Sequence, residues 1–481
     1  MKKRPEKGSK EKGHSVVEEE PVQPAVPNIQ EKCPVQSIDD YQCTGNVEVD
    51  FPELCAILGL KKVPDVRPLI AHSAERAKDS SQEQILSEGC TVTWSPKPCL
   101  QIEKENEDAR SVKRIRISGW RVDEVIAQVL SKMLPSLSNL QTLQMWRVGL
   151  TDSILTSLKN TISMCSKLRR VILEGTPIPE NSYHILMGED SMISHLSLRN
   201  NRIGEDGARL IGLALSKNLR SLSLAFNAIG DAGAIHIAQG LCHNHTLLNL
   251  SLANNHIGDV GAAQVAQGLR LNHTLLHLSL ANNHIGDVGA AQLAQVLGPF
   301  ALTHEEIVER RRELKRKDQL DATKKDEKHQ TVIATGKKED PKVEKKKTSD
   351  MKMPQGRGAK SDAKDMHSSM KEQEAEDVGE TQSPLLNPDI QSIGGKVIYP
   401  GNTTLLFLNL SGNKLTQQSL QMFLRSLECQ GKEGLQYISL NRNSFPLDCE
   451  AFLKLQEMMS LKDPLNRTAS AQVEPEHGQA A

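Results

Sequence analysis

Six histidines with the chemistry to bind a metal lie close together in this sequence: His243, His245, His256, His273, His277 and His284. Neutral imidazole is a common ligand of zinc and copper, so the group raises the question of a metal centre. However, two nearly identical segments contain five of them, and in these segments His245 matches His273 and His256 matches His284. Stacked segments would place each pair about 5 Å apart, but a metal would still need a third ligand and a second shell. We predict no metal site.

Signatures of catalysis and of cofactor binding are missing from the sequence. We find no P-loop, G-x-S-x-G, H-E-x-x-H or G-x-G-x-x-G in a suitable context, and the Gly-Gly-Lys at Gly394 lacks the rest of a phosphate loop. The nine cysteines form no C-x-x-C pair, which argues against zinc and for free thiols in a reducing compartment. We therefore predict no catalytic or cofactor-binding residues and a protein that is not an enzyme.

Composition narrows the remaining classes of function. The 481 residues carry a net charge of −1 and are only 3% aromatic, so no overall field favours nucleic acid or an acidic membrane surface. No apolar run resembles a signal peptide, and none reaches the roughly 18 residues of a membrane-spanning helix. We expect an intracellular, cytoplasmic protein that binds neither nucleic acid nor membrane. Its N-x-S/T sequons are then chance or repeat copies rather than glycosylation sites: Asn244, Asn272, Asn402 and Asn466.

An internal repeat supplies the elements that would position any functional residue. The pattern L-x-x-L-x-L-x-x-N-x-I has good copies beginning at residues 193, 219, 247, 275, 405 and 435, and weaker copies at 112, 140 and 168. The alternating burial of L-x-L predicts a short strand. An asparagine then follows, whose amide can donate to and accept from loop backbone groups. We predict a structural ladder of these asparagines: Asn201, Asn227, Asn255, Asn283, Asn413 and Asn443.

A helix is predicted to complete each repeat. Asp206, Asp231, Asp259 and Asp287 stand where a helix N-cap belongs, and apolar residues follow at helical spacing. One such unit cannot bury its own strand and helix faces, whereas stacked units share a continuous core. The fold class is therefore α/β, a repeat solenoid.

This strand–helix unit resembles the ribonuclease-inhibitor class of leucine-rich repeats, over roughly residues 112–300 and 403–460. The resemblance implies a horseshoe with a parallel sheet on the concave side and helices on the convex side. The class includes inhibitors, a Ran GTPase-activating protein, actin pointed-end cappers and innate sensors, so the fold alone does not select a function.

Charge and repeat boundaries divide the chain into six predicted parts. They are a disordered charged tail (1–45), an N-terminal capping region (46–111), about seven repeats (112–300), a charged disordered insertion with an initial helix (301–402), the last two repeats with a closing helix (403–463) and a loose tail (464–481). Whether the last two repeats join the same sheet is left open.

The insertion is the second unusual feature of the chain. Residues 301–380 contain 20 Lys/Arg and 19 Asp/Glu and no aromatic residue, which predicts disorder beyond the initial helix. Thr303 and Glu306 suit a capping box, and the pairs Glu306–Arg310 and Glu313–Lys317 have helical spacing. The basic block at 310–317 is interpreted as a solvated helix, or alternatively as a docking peptide for an acidic surface such as tubulin or actin.

Partner binding is predicted on the outward-facing strand positions. The middle of this face is small and rich in hydroxyl groups, its N-terminal end is basic and its C-terminal end is aromatic. Binding hot spots favour arginine and aromatic residues, so the ends are the better candidates. The candidate partner-binding residues are Arg114, Arg116, Arg170, His195, Arg199, Phe407, Tyr437 and Asn441.

The sequence thus favours a non-catalytic scaffold that binds a protein partner on its concave face. Two alternatives remain open. One is a regulator of an enzyme such as a small GTPase, acting as activator or inhibitor. The other is an adaptor associated with the cytoskeleton, on actin or axonemal microtubules, which would place the protein at a cilium.

Overall fold

The computed structural model describes residues 37–69, 98–188, 190–215, 218–334, 383–431 and 433–462, with side chains in the long helix of the insertion only as far as residue 319. The predictions for residues 1–36 and for the loose tail therefore fall outside the described residues. Residues 37–45, which were expected to be disordered, are ordered. Tyr41 is buried, and its hydroxyl donates to Asp50 (3.0 Å) and Glu53 (2.7 Å) in the following helix.

Strands and helices alternate along the described chain. The strands are β1 (Asp65–Pro68), β2 (Cys99–Lys104), β3 (Val112–Ser118), β4 (Thr142–Trp146), β5 (Arg170–Glu174), β6 (His195–Ser197), β7 (Ser221–Ser223), β8 (Asn249–Ser251), β9 (His277–Ser279), β10 (Phe300–Ala301), β11 (Gln391–Ile393), β12 (Lys396–Tyr399), β13 (Phe407–Asn409) and β14 (Tyr437–Ser439). The helices are α1 (Val47–Ile57), α2 (Glu124–Met133), α3 (Asp152–Met164), α4 (Gly204–Leu213), α5 (Asp231–His243), α6 (Asp259–Leu269), α7 (Asp287–Leu297), α8 (His304–Ala334), α9 (Gln417–Gln430) and α10 (Glu450–Lys462).

Eleven strands form one sheet in the order β1 to β9, then β13 and β14. Its strands are parallel except where β2 runs antiparallel to β3. The sheet therefore continues across the insertion: β13 pairs directly with β9, with Phe407 opposite His277 and Leu408 opposite Leu278. The predicted α/β leucine-rich-repeat solenoid is confirmed, and the last two repeats extend the same sheet.

Burial of the middle strand residue explains why the repeats stack. Leu250, Leu278 and Leu408 are at most 2% exposed and belong to one continuous core that runs from α1 to α10. Because neighbouring repeats share this core, each strand needs the next one to cover its leucines. The first repeat is covered by α1, whose N-cap is Asn46.

The six ladder asparagines connect each repeat to its neighbour. The Asn255 amide oxygen accepts from the backbone N–H of Asn227 (2.9 Å) and Ile229 (3.1 Å), and its Nδ2 donates to the carbonyls of Leu224 (3.0 Å) and Leu252 (2.9 Å). Equivalent bonds involve the other five. These side chains pair backbone groups that a buried turn would otherwise leave without partners.

A second set of side-chain amides precedes the strands, at the opposite end from the ladder asparagines. Three of its members are sequon asparagines: Asn244, Asn272 and Asn402. Asn402 is fully buried; its Nδ2 donates to the carbonyls of Leu269 (2.8 Å) and Asn272 (2.9 Å), and its Oδ1 accepts from the N–H of Leu405 (3.0 Å). Asn272 is held in the same way, and Gln430 continues the set. These sequon asparagines are structural, while Asn466 falls outside the described residues.

The aspartates predicted as N-caps act differently. Asp231 is the first residue of α5, with Gly230 as the N-cap, and its carboxylate accepts from the N–H of Gly258 (2.7 Å) and Gly261 (2.8 Å) at the start of the next helix. A Cβ at 261 would lie 2.6 Å from this oxygen, so the glycine allows its approach. Asp259 repeats the arrangement with the next helix.

Asp287, the first residue of α7 before the insertion, makes the equivalent bonds to the N-terminus of α9 after the insertion. It accepts from the Thr416 N–H (2.9 Å) and hydroxyl (2.7 Å) and from the hydroxyl of Ser419. Asp206 does not match the pattern, because Glu205 occupies the position that corresponds to Asp231. The prediction that each aspartate caps its own helix was wrong: the described carboxylates of α5 to α7 stabilise the N-terminus of the following helix.

The insertion is ordered at both ends: its initial helix was predicted, whereas the order of residues 383–402 was not. Strands β10, β12 and β11 form a separate three-stranded antiparallel sheet that joins its beginning to its end. Thr303 and Glu306 form the capping box at the start of α8. Glu306 was expected to pair with Arg310, but its carboxylate accepts hydrogen bonds from Arg270 at 2.7 and 2.9 Å instead. The side chains of Arg270 and Glu306 are each only 10% exposed.

We predict that Asn255→Ala lowers the free energy of unfolding by about 1–3 kcal/mol, because it leaves buried backbone groups unpaired. Chemical denaturation measures the loss. The matched control is Asn249→Ala in the same repeat, whose side chain faces outward from β8. Equal stability of both variants would contradict a structural role for the ladder.

Asp287→Ala should cost about 1–2 kcal/mol, the usual effect of removing a helix cap, while Asp206→Ala serves as the exposed control. Burial raises the pKa of Asp287, but hydrogen bonds from Ser419 and Thr416 outweigh it and leave the pKa below its ordinary value. The stabilisation by the Asp287 carboxylate should therefore be complete at pH values above its unfolded-state pKa and disappear as the pH falls through its lowered folded-state pKa. Denaturation curves recorded over this acidic range test both points; a pH-independent difference would exclude the carboxylate as its source.

Candidate protein-interaction surface

The concave face of the sheet consists of three rows of outward-facing residues. Each row runs across the strands, following the register of the parallel pairs. The first row is Arg114, Thr142, Arg170, His195, Ser221, Asn249, His277, Phe407 and Tyr437. The second is Arg116, Gln144, Ile172, Ser197, Ser223, Ser251, Ser279, Asn409 and Ser439. The third is Ser118, Trp146, Glu174, Arg199, Ala225, Ala253, Ala281, Ser411 and Asn441.

The N-terminal end of this face carries four arginines. Arg170 and Arg199 are exposed. Arg114 lies 3.3 Å from Glu103, a carboxylate that Lys113 also contacts at 2.9 Å. Hydrogen bonding to Lys113 lowers the pKa of Glu103, so the glutamate remains charged. Arg116 is half-buried, and its Nε is enclosed without a hydrogen-bond partner.

His195 is the candidate residue whose protonation the structure most affects. Its Nδ1 lies 2.9 Å from the hydroxyl of Ser194. Burial lowers the pKa of His195, and the charges of Arg170 and Arg220 lower it further. The imidazole is therefore neutral at pH 7, and it does not add to the positive charge of its neighbours.

An aromatic stack forms the C-terminal end of the first row. The rings of Phe407 and Tyr437 are stacked at 4.7 Å, and His277 lies 5.8 Å from Phe407. Tyr437 is 48% exposed, although it is a large and partly apolar side chain. These residues belong to strands on the two sides of the insertion, so the pairing of β9 with β13 creates this cluster.

A groove adjoins the stack at the last strand. It has a volume of about 470 Å³ and lies between β14 and α10. Ile438 and Leu440 from the strand, with Phe452, Leu455 and Met459 from the helix, supply its apolar lining. Polar side chains, among them Gln436, Ser439 and Gln456, complete the lining, so the groove offers both apolar contacts and hydrogen-bonding groups.

Between the two ends, the face is small and uncharged. The positions on β7 to β9 are serine, asparagine, alanine and the single His277. Asn441, the remaining candidate, is exposed at the end of the third row. A strip of short polar side chains therefore separates the arginines of the N-terminal strands from Phe407 and Tyr437.

Two arginine–aromatic contacts at the edge of the concave face were not predicted from the sequence. Arg147 stacks on Trp146 with 4.7 Å between guanidinium carbon and ring centroid, and Arg199 lies 5.2 Å from the ring centroid of Phe226. Phe226 is 45% exposed and has a φ of 61°. The corresponding position before the ladder asparagine has asparagine or glycine in several other repeats, so an aromatic residue there was the available signal.

The clustered histidines do not converge on one point. His256 and His284 stack at 5.6 Å, close to the predicted spacing, whereas His273 lies 2.8 Å from the hydroxyl of Tyr399. Within the described ranges, no group of three metal-ligating side chains comes together. Position in the repeat therefore accounts for the stacked pair.

The basic block of α8 pairs mainly with its own helix. Arg312 contacts Glu309 (3.0 Å) and Arg316 contacts Glu313 (2.8 Å), so the predicted pair of Glu313 with Lys317 is replaced by one at the preceding position. Arg310 donates to the carbonyl of Leu385. These contacts favour the interpretation as a solvated helix.

Comparison with known families agrees with this geometry. A family model described as Leucine Rich repeat matches residues 215–238, 243–266, 271–294 and 401–424. The matched segments lie on both sides of the insertion and each contains a strand and a helix start. Such repeats are commonly protein-interaction modules and typically non-catalytic. Among the described helices, none combines the length and apolar character required to cross a membrane.

We predict that the imidazole of His195 titrates below the ordinary histidine value and that Arg170→Gln raises its midpoint, because one neighbouring positive charge is removed. NMR titration of the His195 ring protons measures both values. An unchanged midpoint in the variant would show that the charge of Arg170 does not contribute to the lowered pKa of His195.

Proposed function

We propose that this leucine-rich-repeat protein is a non-catalytic scaffold that binds a protein partner on its concave face. The supporting observation is the stack of the half-buried Phe407 on the exposed Tyr437, which the continuous sheet places in one row with Arg170. Aromatic and arginine side chains contribute most of the binding energy in protein interfaces. The proposed contact residues are those predicted from the sequence: Arg114, Arg116, Arg170, His195, Arg199, Phe407, Tyr437 and Asn441.

Burial supports this choice of surface. The leucines of each strand point into the core, so the residues beside them vary without disturbing the fold. Tyr437 is 48% exposed beside a groove whose lining is partly apolar, and covering these apolar atoms would favour the binding of a partner. The ladder asparagines, by contrast, are assigned to stability rather than to binding.

The finer identity and setting are also proposed. The repeat array with its long charged insertion resembles leucine-rich repeat-containing protein 71. We infer a cytoplasmic setting, and on the basis of that resemblance an adaptor associated with actin or axonemal microtubules is one alternative to the scaffold. Co-sedimentation of the purified chain with actin filaments and with microtubules tests the association; retention in the supernatant with both would exclude it.

Regulation of an enzyme is the alternative function, because the repeat class includes a Ran GTPase-activating protein. A regulator of this kind would bind a small GTPase on the same concave face. Stimulated or inhibited GTP hydrolysis by the purified protein would support it in place of the scaffold, and an unchanged rate would count against it.

Photo-crosslinking provides the direct test of the concave face. With p-benzoylphenylalanine in place of Tyr437, we expect discrete adducts with other proteins in cells. The same group in place of Leu213, which is 79% exposed on α4 of the convex side, is the matched control. Adducts of equal yield at both positions, or adducts at Leu213 alone, would contradict binding on the concave face.

A further inference from the structure

Charge on the concave face is confined to the N-terminal strands. In the three rows, β3 to β6 contribute Arg114, Arg116, Arg170 and Arg199 against a single carboxylate, Glu174. The row positions from β7 to β14 include no Asp, Glu, Lys or Arg. Glu103 on β2 pairs with Arg114, and the remaining arginines leave this half-face with a net positive charge, although the whole chain has a net charge of −1.

These arginines are available to an external anion. Arg170 and Arg199 are exposed, and the contact with Phe226 orients the Arg199 guanidinium. Glu174 accepts a hydrogen bond from the Ser197 hydroxyl at 2.6 Å. Arg116 is half-buried, and its enclosed Nε has no hydrogen-bond acceptor within the described residues. Guanidinium groups bind carboxylates in bidentate geometry.

The aromatic stack lies at a definite separation from these charges. In the first row, five strand-to-strand steps lead from Arg170 through β6, β7, β8 and β9 to Phe407. At about 4.8 Å per step, the separation is about 24 Å. An extended peptide covers this distance with about seven residues.

We propose that the partner presents an acidic segment to this face, with its carboxylates on Arg116, Arg170 and Arg199 and an apolar or aromatic side chain, about seven residues away, against Phe407 and Tyr437. The proposal rests on the proposed function and specifies the chemistry of the partner. The serines and Asn249 between the two ends are short enough to allow a peptide backbone to approach and can hydrogen-bond to it.

A nucleic acid fits the same face less well. Single-stranded nucleic acids are bound by cationic grooves with aromatic platforms placed along the backbone path. Trp146 and Phe226 lie beside Arg147 and Arg199, but the row positions on β7 to β9 are neutral, so no continuous cationic path leads from these arginines to Phe407 and Tyr437. A peptide with separate acidic and apolar parts matches this arrangement.

Fluorescence anisotropy with defined peptides tests the proposal. The probe is a fluorescein-labelled peptide of six glutamates, a Gly-Ser spacer of six residues and one phenylalanine; a second peptide ends in glycine instead. Against the full chain, Arg170→Glu with Arg199→Glu should weaken binding of the first peptide at least tenfold, roughly. Arg209→Glu, an exposed arginine on the convex helix α4, is the matched control and should change affinity little.

The aromatic end is tested separately. The phenylalanine peptide should bind several-fold more tightly than the glycine peptide, by roughly 1 kcal/mol or a factor of about five, and Tyr437→Ala should remove that difference. Arg170→Gln with Arg199→Gln repeats the charge test without introducing carboxylates, and circular dichroism confirms that each variant is folded.

Two results would overturn the proposal. One is equal weakening by the concave variant and by Arg209→Glu. The other is tighter binding of a ten-nucleotide oligo-uridine than of the acidic peptide at about 150 mM salt. If crosslinking at Tyr437 persists while the arginine variants leave peptide binding unchanged, the concave scaffold stands and its partner is not acidic.

Discussion

The amide of Asn413 donates to the carbonyl oxygens of Leu280 and Leu410, at 3.0 and 2.9 Å, and so joins residues 133 positions apart in the chain. It accompanies the parallel pairing of β13 with β9, which buries Leu278 and Leu408 in one core. Without this pairing, β9 would present an uncovered edge and uncovered leucines. The continuity of the sheet and the aromatic cluster both depend on it.

Polar side chains repeat along the solenoid because their partners lie in the neighbouring repeat. The Asn255 amide oxygen accepts hydrogen bonds from backbone N–H groups of the preceding turn, and the Asp231 carboxylate accepts from the first N–H groups of the next helix. Because neighbouring repeats stack with the same geometry, these asparagines and aspartates recur at the same position in each repeat. Each hydrogen bond also requires the adjacent repeat to be present. The stability of such an array is approximately the sum of the stabilities of single repeats and of the interactions between neighbouring repeats. The hydrogen bonds that connect the repeats on the two sides of the insertion therefore stabilise the array in the same way as those between consecutive repeats.

The insertion leaves the array at a junction that is itself ordered. Arg270 on the last turn of the preceding repeat holds Glu306, and its guanidinium lies 4.1 Å from the ring centroid of Phe300. Burial raises the pKa of Glu306, but the bonds from Arg270 and Thr303 outweigh it, and the carboxylate is charged. Because β10 and β12 pair beside this ion pair, the described ends of the insertion meet and the solenoid continues directly to β13.

The sequence by itself determined the repeat and its consequences: the α/β solenoid, the buried leucines and the outward positions, because a period of two within a strand decides burial locally. It also gave the basic and aromatic character of the two ends. It was wrong about the carboxylates of Asp231, Asp259 and Asp287, and about residues 383–402. Only the tertiary structure decided that Phe407 stacks beside His277, that Glu306 pairs with Arg270, and that Arg199 lies over Phe226. The physical reason is that each of these contacts joins different repeats or the insertion to a repeat, and the pattern within one repeat does not contain its partner.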